Sequence, residues 1–239
     1  MNPADVGVEH LGQWQAAAIS TLDWWREAGV DTLVDDAPRD WLARPTQTAA
    51  VVTPLAAPTA LPVTLPEFLA WRVSGAAPET AWRGASISAA GPLDAKLMVL
   101  VDCPDRDDRD CLLDGAAGRL FDRMLAAIGL SRGHVHLAAV CSRRPLAGRM
   151  PREIEAELHR LAVHHVGLLA PERLLLMGDA ASRAVTGSEV LRARGTLRAF
   201  NHAGGESLTV ATFHPRLLLE RPAQKADAWR DLQMLMGSR

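Results

Sequence analysis

Cysteine is scarce in this chain, long apolar runs are missing, and neither sign of charge dominates. The three cysteines, Cys103, Cys111 and Cys141, are odd in number and have no CxxC spacing. That argues against a disulfide framework or a zinc site and leaves free, partly buried thiols. No stretch of about 18 apolar residues is present and no basic n-region leads into an apolar h-region, so neither a membrane span nor export is expected. The cytoplasm follows as the default compartment. A net charge of -2 with a pI near 6.4 gives no global field for polyanions, so any nucleic-acid contact has to be local. Arg143-Arg144 with Arg149 and Arg152 is the candidate for such a contact, and a solvated loop is the plain alternative. What is present is globular: 239 residues, 48% hydrophobic and 23% charged, enough for one domain with a full core and an appendage.

Residues 1 to 44 read as a separate element. Leu11, Trp14, Ala18, Leu22 and Trp25 recur at spacings of three and four, which predicts an apolar stripe on a helix ending near Gly29. Trp14, Trp24 and Trp25 crowd this short segment. Packing on the chain's own domain is one use for them; a docking face led by Trp14, Leu22 and Trp25 is the other, because Trp is enriched in binding hot spots. Residues 45 to 64 form a linker rich in Ala, Pro, Thr and Val, where Pro45, Pro54, Pro58 and Pro62 keep the chain extended.

From residue 65 to 239 strand and helix signals alternate. The run Leu97-Met98-Val99-Leu100-Val101 predicts a buried strand, Ala117 to Ile128 an amphipathic helix, and Val135 to Val140 a second strand. Pro151 to Leu169 follows as a helix, Arg173 to Met177 as a strand, and Gly178 opens the turn into another helix. Gly204-Gly205 reads as a hairpin turn before a strand at Ser207 to Thr212, and Pro222 starts the closing helix. This order predicts an α/β fold, a three-layer αβα sandwich around a mostly parallel sheet. Ligands then bind beyond the carboxyl ends of the strands. Asp102, Arg144 and His214 all fall at such ends. His159, His164 and His165 share one predicted helix without the carboxylate partner a metal pair needs, so no metal site is expected.

The segment Thr212-Phe213-His214-Pro215-Arg216-Leu217-Leu218-Leu219, followed by Pro222, Lys225, Trp229 and Asp231-Leu232, resembles the His-Pro motif of uracil-DNA glycosylases. The resemblance implies that His214 donates a hydrogen bond to the leaving uracil anion, while Leu217 or Leu218 wedges into the base stack as the target nucleotide flips out. Val101-Asp102-Cys103-Pro104-Asp105 stands where the bacterial iron-sulfur-type branch has Gly-Glu-Ala-Pro-Gly. Asp102 would orient the attacking water, but Val101 and Asp105 replace glycines that let the backbone approach the nucleoside. Gly115-Ala116-Ala117-Gly118-Arg119-Leu120 matches a Gly-rich turn, with Leu113 in place of the Phe that stacks on uracil. His136, Ala139, Ser142-Arg143-Arg144-Pro145 and Gly148-Arg149 match a segment whose Asn, here Ala139, reads the uracil edge. The cluster-ligand places hold Arg143 and Glu157, and no pair of Cys precedes residue 103, so no iron-sulfur cluster or other cofactor is expected.

Two functions are consistent with these residues. One is an active DNA glycosylase using His214 and Asp102, with Arg144 and Arg149 on phosphate. The other is a degenerate member whose pocket, at Leu113 and Ala139, no longer reads a base and whose fold serves as a binding module. The psi subunit of the bacterial clamp loader is similar in plan, with an N-terminal docking peptide and a glycosylase-like body. That resemblance implies partners among DNA replication or repair proteins, gripped through the N-terminal helix, with local DNA contact and no membrane.

Overall fold

The computed structural model describes residues 3–29, 61–145 and 150–237. The chain divides into two units, residues 1–58 and 59–239. In the first, α1 (Pro3–Glu27) begins earlier than the periodicity indicated and ends before Gly29. Trp14, Leu22, Trp24 and Trp25 are all exposed, the least of them at 47%, and the Trp24 and Trp25 rings meet edge-on with centroids 5.4 Å apart. The expected linker falls outside the described residues from 45 to 60.

The second unit opens with α2 (Leu65–Val73), which the sequence reading had not placed. Pro66 sits in its first turn, where a missing N–H costs nothing, and Leu65, Phe68 and Arg72 turn inward. Strand β1 (Leu97–Val101), helix α3 (Ala116–Ala127), strand β2 (Val135–Ala139), helix α4 (Arg152–Leu169) and strand β3 (Arg173–Met177) follow. Then come α5 (Asp179–Thr186), the short α6 (Val190–Ala193), the hairpin β4 (Arg198–His202) and β5 (Gly205–Thr212), α7 (Pro215–Glu220) and α8 (Lys225–Gly237).

The sheet has the order β2-β1-β3-β5-β4, parallel throughout except for β4 against β5. Because side chains alternate across a strand, each buried strand feeds two cores. Met98, Leu100, Leu174 and Leu176 pack with Phe68, Leu158 and Leu161 on one face. Val99, Val101, Leu175 and Met177 pack with Phe121, Leu125, Leu232 and Leu235 on the other. Helices therefore cover both faces, the layered arrangement expected for a buried parallel sheet. The register places Ala139, Val101, Met177 and Thr212 in one row. Asp102, the Val140 to Arg144 turn, Gly178 and His214 lie just beyond that row and gather along one edge of the sheet. No helix among the described residues is long and apolar enough to cross a membrane.

Candidate functional site at the carboxyl edge of the sheet

His214 leaves β5 as the N-cap of α7, with Pro215 at the first helical position. Its Nδ1 accepts the Arg216 backbone N–H at 3.2 Å. The ring is buried at 6% exposure, and burial, with Arg216 and Arg144 nearby, drives its pKa down to about 3. The imidazole is neutral at physiological pH, and with Nδ1 accepting, its proton sits on Nε2. The strand end that presents it is fixed from α8: Thr212 Oγ1 donates to buried Asp231 at 2.9 Å, and Arg194 holds the same carboxylate through Nε at 3.1 Å. The Arg194 guanidinium also lies over the Phe213 ring, 5.0 Å from its centroid. The sequence offered Asp231 only within the resemblance to the His-Pro motif; its role in holding Thr212 comes from tertiary structure.

Asp102 follows β1, and its Oδ1 accepts the Ala181 N–H at 2.8 Å, so the carboxylate caps α5 from a neighbouring strand. Burial pushes its pKa up to about 6, with Asp179 adding and the backbone N–H groups opposing. The side chain lies against Gly178, whose φ of +111° belongs to glycine.

Asp105 is the residue that the resemblance sets at a glycine place. It pairs closely with Arg216 and lies 3.8 Å from Arg144, which donates to the Pro104 carbonyl at 3.0 Å. The β1 loop and the His214 turn are thereby tied together by charges. Burial is the main influence raising the Asp105 pKa, and Arg216 and Arg144 counter it. Arg144 is thus engaged within the protein, while Arg149 lies outside the described residues.

The acidic run around it has an organising member. Asp108 accepts the N–H groups of Asp105 at 2.8 Å, Leu113 at 3.0 Å and Asp114 at 2.8 Å. Leu113, which the resemblance sets at the ring-stacking place, is held at φ +55°, uncommon for a residue with a side chain. Arg132 donates to the carbonyls of Leu112 at 2.9 Å and Leu113 at 2.6 Å. Gly118 allows this packing, since a Cβ there would lie 1.7 Å from the Leu113 oxygen. The Leu113 side chain is buried in the core. Ala139 is half-buried and packs against the same core.

Two clefts flank the site. One, of about 640 Å³, is lined by Asp102, Cys103, Cys141, Glu155, Asp179 and Arg183 among others; the second, of about 400 Å³, by Asp105, Arg144, Arg216 and Leu219 among others. Neither is lined by His214, Leu113 or Ala139. One wedge candidate needs correcting. Leu218 is buried at 1% exposure and belongs to the core, because the first turns of α7 rotate it inward; Leu217 is half-buried, and Leu219 is the exposed leucine of this helix.

The residues that the resemblance sets at the cluster-ligand places, Arg143 and Glu157, have partners within the protein. Arg143 donates to Ser86 Oγ at 2.7 Å and to the carbonyls of Thr80 and Trp82 at 2.8 and 2.9 Å. Arg72 and Glu79 form a buried pair at 2.5 Å, and Glu79 also accepts Ser142 N–H and Oγ–H, each at 3.0 Å. Glu157 pairs with Arg160 at 2.6 Å. Glu79 Oε2 is buried without a hydrogen-bond partner, but a guanidinium has no lone pair for iron and no thiolate stands at either place, so this donor set does not fit a thiolate-held cluster. None of this was legible in the sequence beyond the identity of Arg143 and Glu157. Arg72 and Glu79 gave no signal.

A strand-end carboxylate, Asp102, and a His-Pro turn, His214-Pro215, thus stand on the carboxyl edge of a mostly parallel sheet. A family model described as the uracil DNA glycosylase superfamily matches residues 89–233, more than half of the chain. The chain belongs to that superfamily. It is similar to a type-4 uracil-DNA glycosylase of Pyrobaculum aerophilum, 28% identical over 166 residues that cover 65% of this chain and 84% of the relative. A type-4 uracil-DNA glycosylase of Archaeoglobus fulgidus is 25% identical over 158 residues, covering 62% and 79%.

Proposed function

We propose that this superfamily member works as a binding or assembly subunit in DNA replication or repair, with base excision lost or strongly reduced and no iron-sulfur cluster. The observation that carries the reading is Leu113: the residue at the ring-stacking position is locked by Asp108 and Arg132 and buried in the core. Ala139 adds to it, having no donor or acceptor for a base edge. A site that recognises its substrate by hydrogen bonds loses several orders of magnitude when the partner group is gone. The ion pair of Asp105 with Arg216 further supports a closed site. A psi-like place in a clamp loader, with α1 as the docking peptide and the cytoplasm as compartment, is the specific form of this proposal. Exposed Trp14, Leu22 and Trp25 support it.

A second reading, an active glycosylase for uracil or another deaminated base, is favoured by His214. Its neutral ring keeps an Nε2–H donor of the kind that stabilises a departing anion without a prior protonation. Asp102 would orient water in that case. The deciding experiment is excision on uracil, hypoxanthine and xanthine in single- and double-stranded DNA, beside an intact type-4 enzyme. Turnover should be undetectable or at least about a thousandfold lower. Comparable turnover that His214→Ala abolishes would establish the second reading instead.

A further inference from the structure

Cys103 and Cys141 each lie two residues beyond a strand, β1 and β2, and stand side by side at the carboxyl edge of the sheet. Parallel pairing of β1 with β2 runs to Val101 and Ala139, and the ladder continues as Val140 N–H bonds to Val101 O at 2.9 Å and Cys141 N–H to Asp102 O at 3.2 Å. Strands so paired are about 4.8 Å apart, within the Cα range a disulfide spans. The Cys141 Sγ itself lies 3.4 Å from the Asp102 carbonyl oxygen, against the peptide that leads into Cys103. Both residues line the 640 Å³ cleft beside Asp102, and Cys103, at 8% exposure against 0% for Cys141, is the one a small oxidant reaches from it. Cys111 is outside that cleft and that core.

We propose that Cys103 and Cys141 form a reversible disulfide, made by hydrogen peroxide entering through this cleft. Cys103 is the attacking sulfur. The adjacent Cys141 side chain holds its thiol below the usual value, with Arg144 and Arg216 helping, while Cys141 is raised well above its own. The Cys103 thiolate attacks one peroxide oxygen, so the S–O bond forms, the O–O bond breaks, and the departing hydroxide takes a proton to become water. The Cys141 sulfur then attacks the sulfenic sulfur. The S–S bond forms, the S–O bond breaks, and the hydroxyl leaves with the Cys141 proton as a second water. Two thiols lose two electrons and the peroxide gains them. The product cross-links the loops bearing Asp102 and Ser142, and an external dithiol reverses it by exchange.

The test uses the full chain, treated with a small excess of hydrogen peroxide, alkylated with N-ethylmaleimide and analysed by intact mass and peptide mapping. The expected product is lighter by two hydrogens before alkylation, carries one alkyl group at Cys111 and yields a Cys103–Cys141 linked peptide that dithiothreitol abolishes. Cys111→Ser should leave the linkage unchanged. In Cys141→Ser the reaction should stop at a Cys103 sulfenic acid that dimedone traps, and in Cys103→Ser the Cys141 thiol should stay reduced. The oxidised wild type should melt at a higher temperature than the reduced form, because the cross-link restricts the unfolded chain. Three alkylated thiols after peroxide, a link that includes Cys111, or sulfinic acid at Cys103 without a link would each overturn the proposal. If the serine variants fail to fold, the wild-type peptide map alone decides it.

Discussion

The Asp102 carboxylate rests on the backbone of Gly178: a Cβ at Gly178 would lie 2.4 Å from Oδ2 and 2.6 Å from Cγ. Gly178→Ala therefore meets two obstacles, the clash and a φ of +111° that alanine disfavours. A loss of about 2–4 kcal/mol in urea unfolding is expected. Asp102→Ala in the same chain removes the clash but not the strain, so the double variant should lose less than the sum of the singles. Additive losses would show that the carboxylate does not press on this turn.

Asp102 also sets a pH dependence. With its folded pKa raised to about 6 from an unfolded value of about 3.9, the folded state binds the extra proton between those values. The stabilisation this brings is full below the unfolded value and is lost as pH rises through about 6. Asp102→Asn keeps an oxygen for the Ala181 N–H and cannot ionise. It should melt above wild type at pH 8 and match it at pH 4; a constant difference across that range would refute the assignment.

His214 acts in the opposite sense. Its folded pKa, near 3, lies below an unfolded value of about 6.5, so on acidification the unfolded chain takes a proton that the folded chain refuses. Its contribution is full above the unfolded value and is lost as pH falls towards the folded one. The drop in unfolding free energy of wild type between pH 7 and pH 4 should be visibly smaller in His214→Gln. An equal drop in both proteins would mean the ring is not held neutral.

Arg72 and Glu79 are buried together, with Ser142 satisfying the same carboxylate oxygen. Arg72→Met should cost about 3–5 kcal/mol, since an uncompensated carboxylate remains inside. The double change Arg72→Met with Glu79→Gln should recover part of that, and chemical denaturation of the three proteins measures it.

Trp14 and Trp25 are exposed at 58% and 47%. Changing both to Ala should leave stability within about 0.5 kcal/mol, as surface substitutions do. If α1 docks on a replication or repair protein, the same variant should bind that partner at least about tenfold more weakly, each Trp being the kind of residue that anchors an interface. A fall in melting temperature would place the rings in a core.

The buried strands and amphipathic helices were legible because their apolar periods are local. Leu97 to Val101 is a continuous apolar run, and Phe121, Leu125 and Ile128 recur on one helical face. β4 was not, since Arg198-Ala199-Phe200-Asn201-His202 has no such pattern and is a strand only because it pairs with β5. His214, Asp102 and Arg144 were found as residues, yet what each touches was not. The Asp102 bond to Ala181 and the Asp105 pairing with Arg216 join segments far apart in sequence, and no spacing rule encodes such contacts. Likewise His136 and His165 gave no signal of pairing, though their Nε2 atoms stand 3.0 Å apart in the core.

The sheet's two borders are guarded differently. Beside β2, Ala90 bridges Leu137 with N–H to O bonds of 3.0 and 2.8 Å, so part of that border is already occupied by the chain itself. The opposite border is β4, five residues long, exposed along most of its length and carrying Arg198, Asn201 and His202. A short border strand bearing charge and polar side chains is a poor template for another molecule's strand. Among the described residues, the β4 border thus offers little backbone for strand-on-strand growth at high concentration.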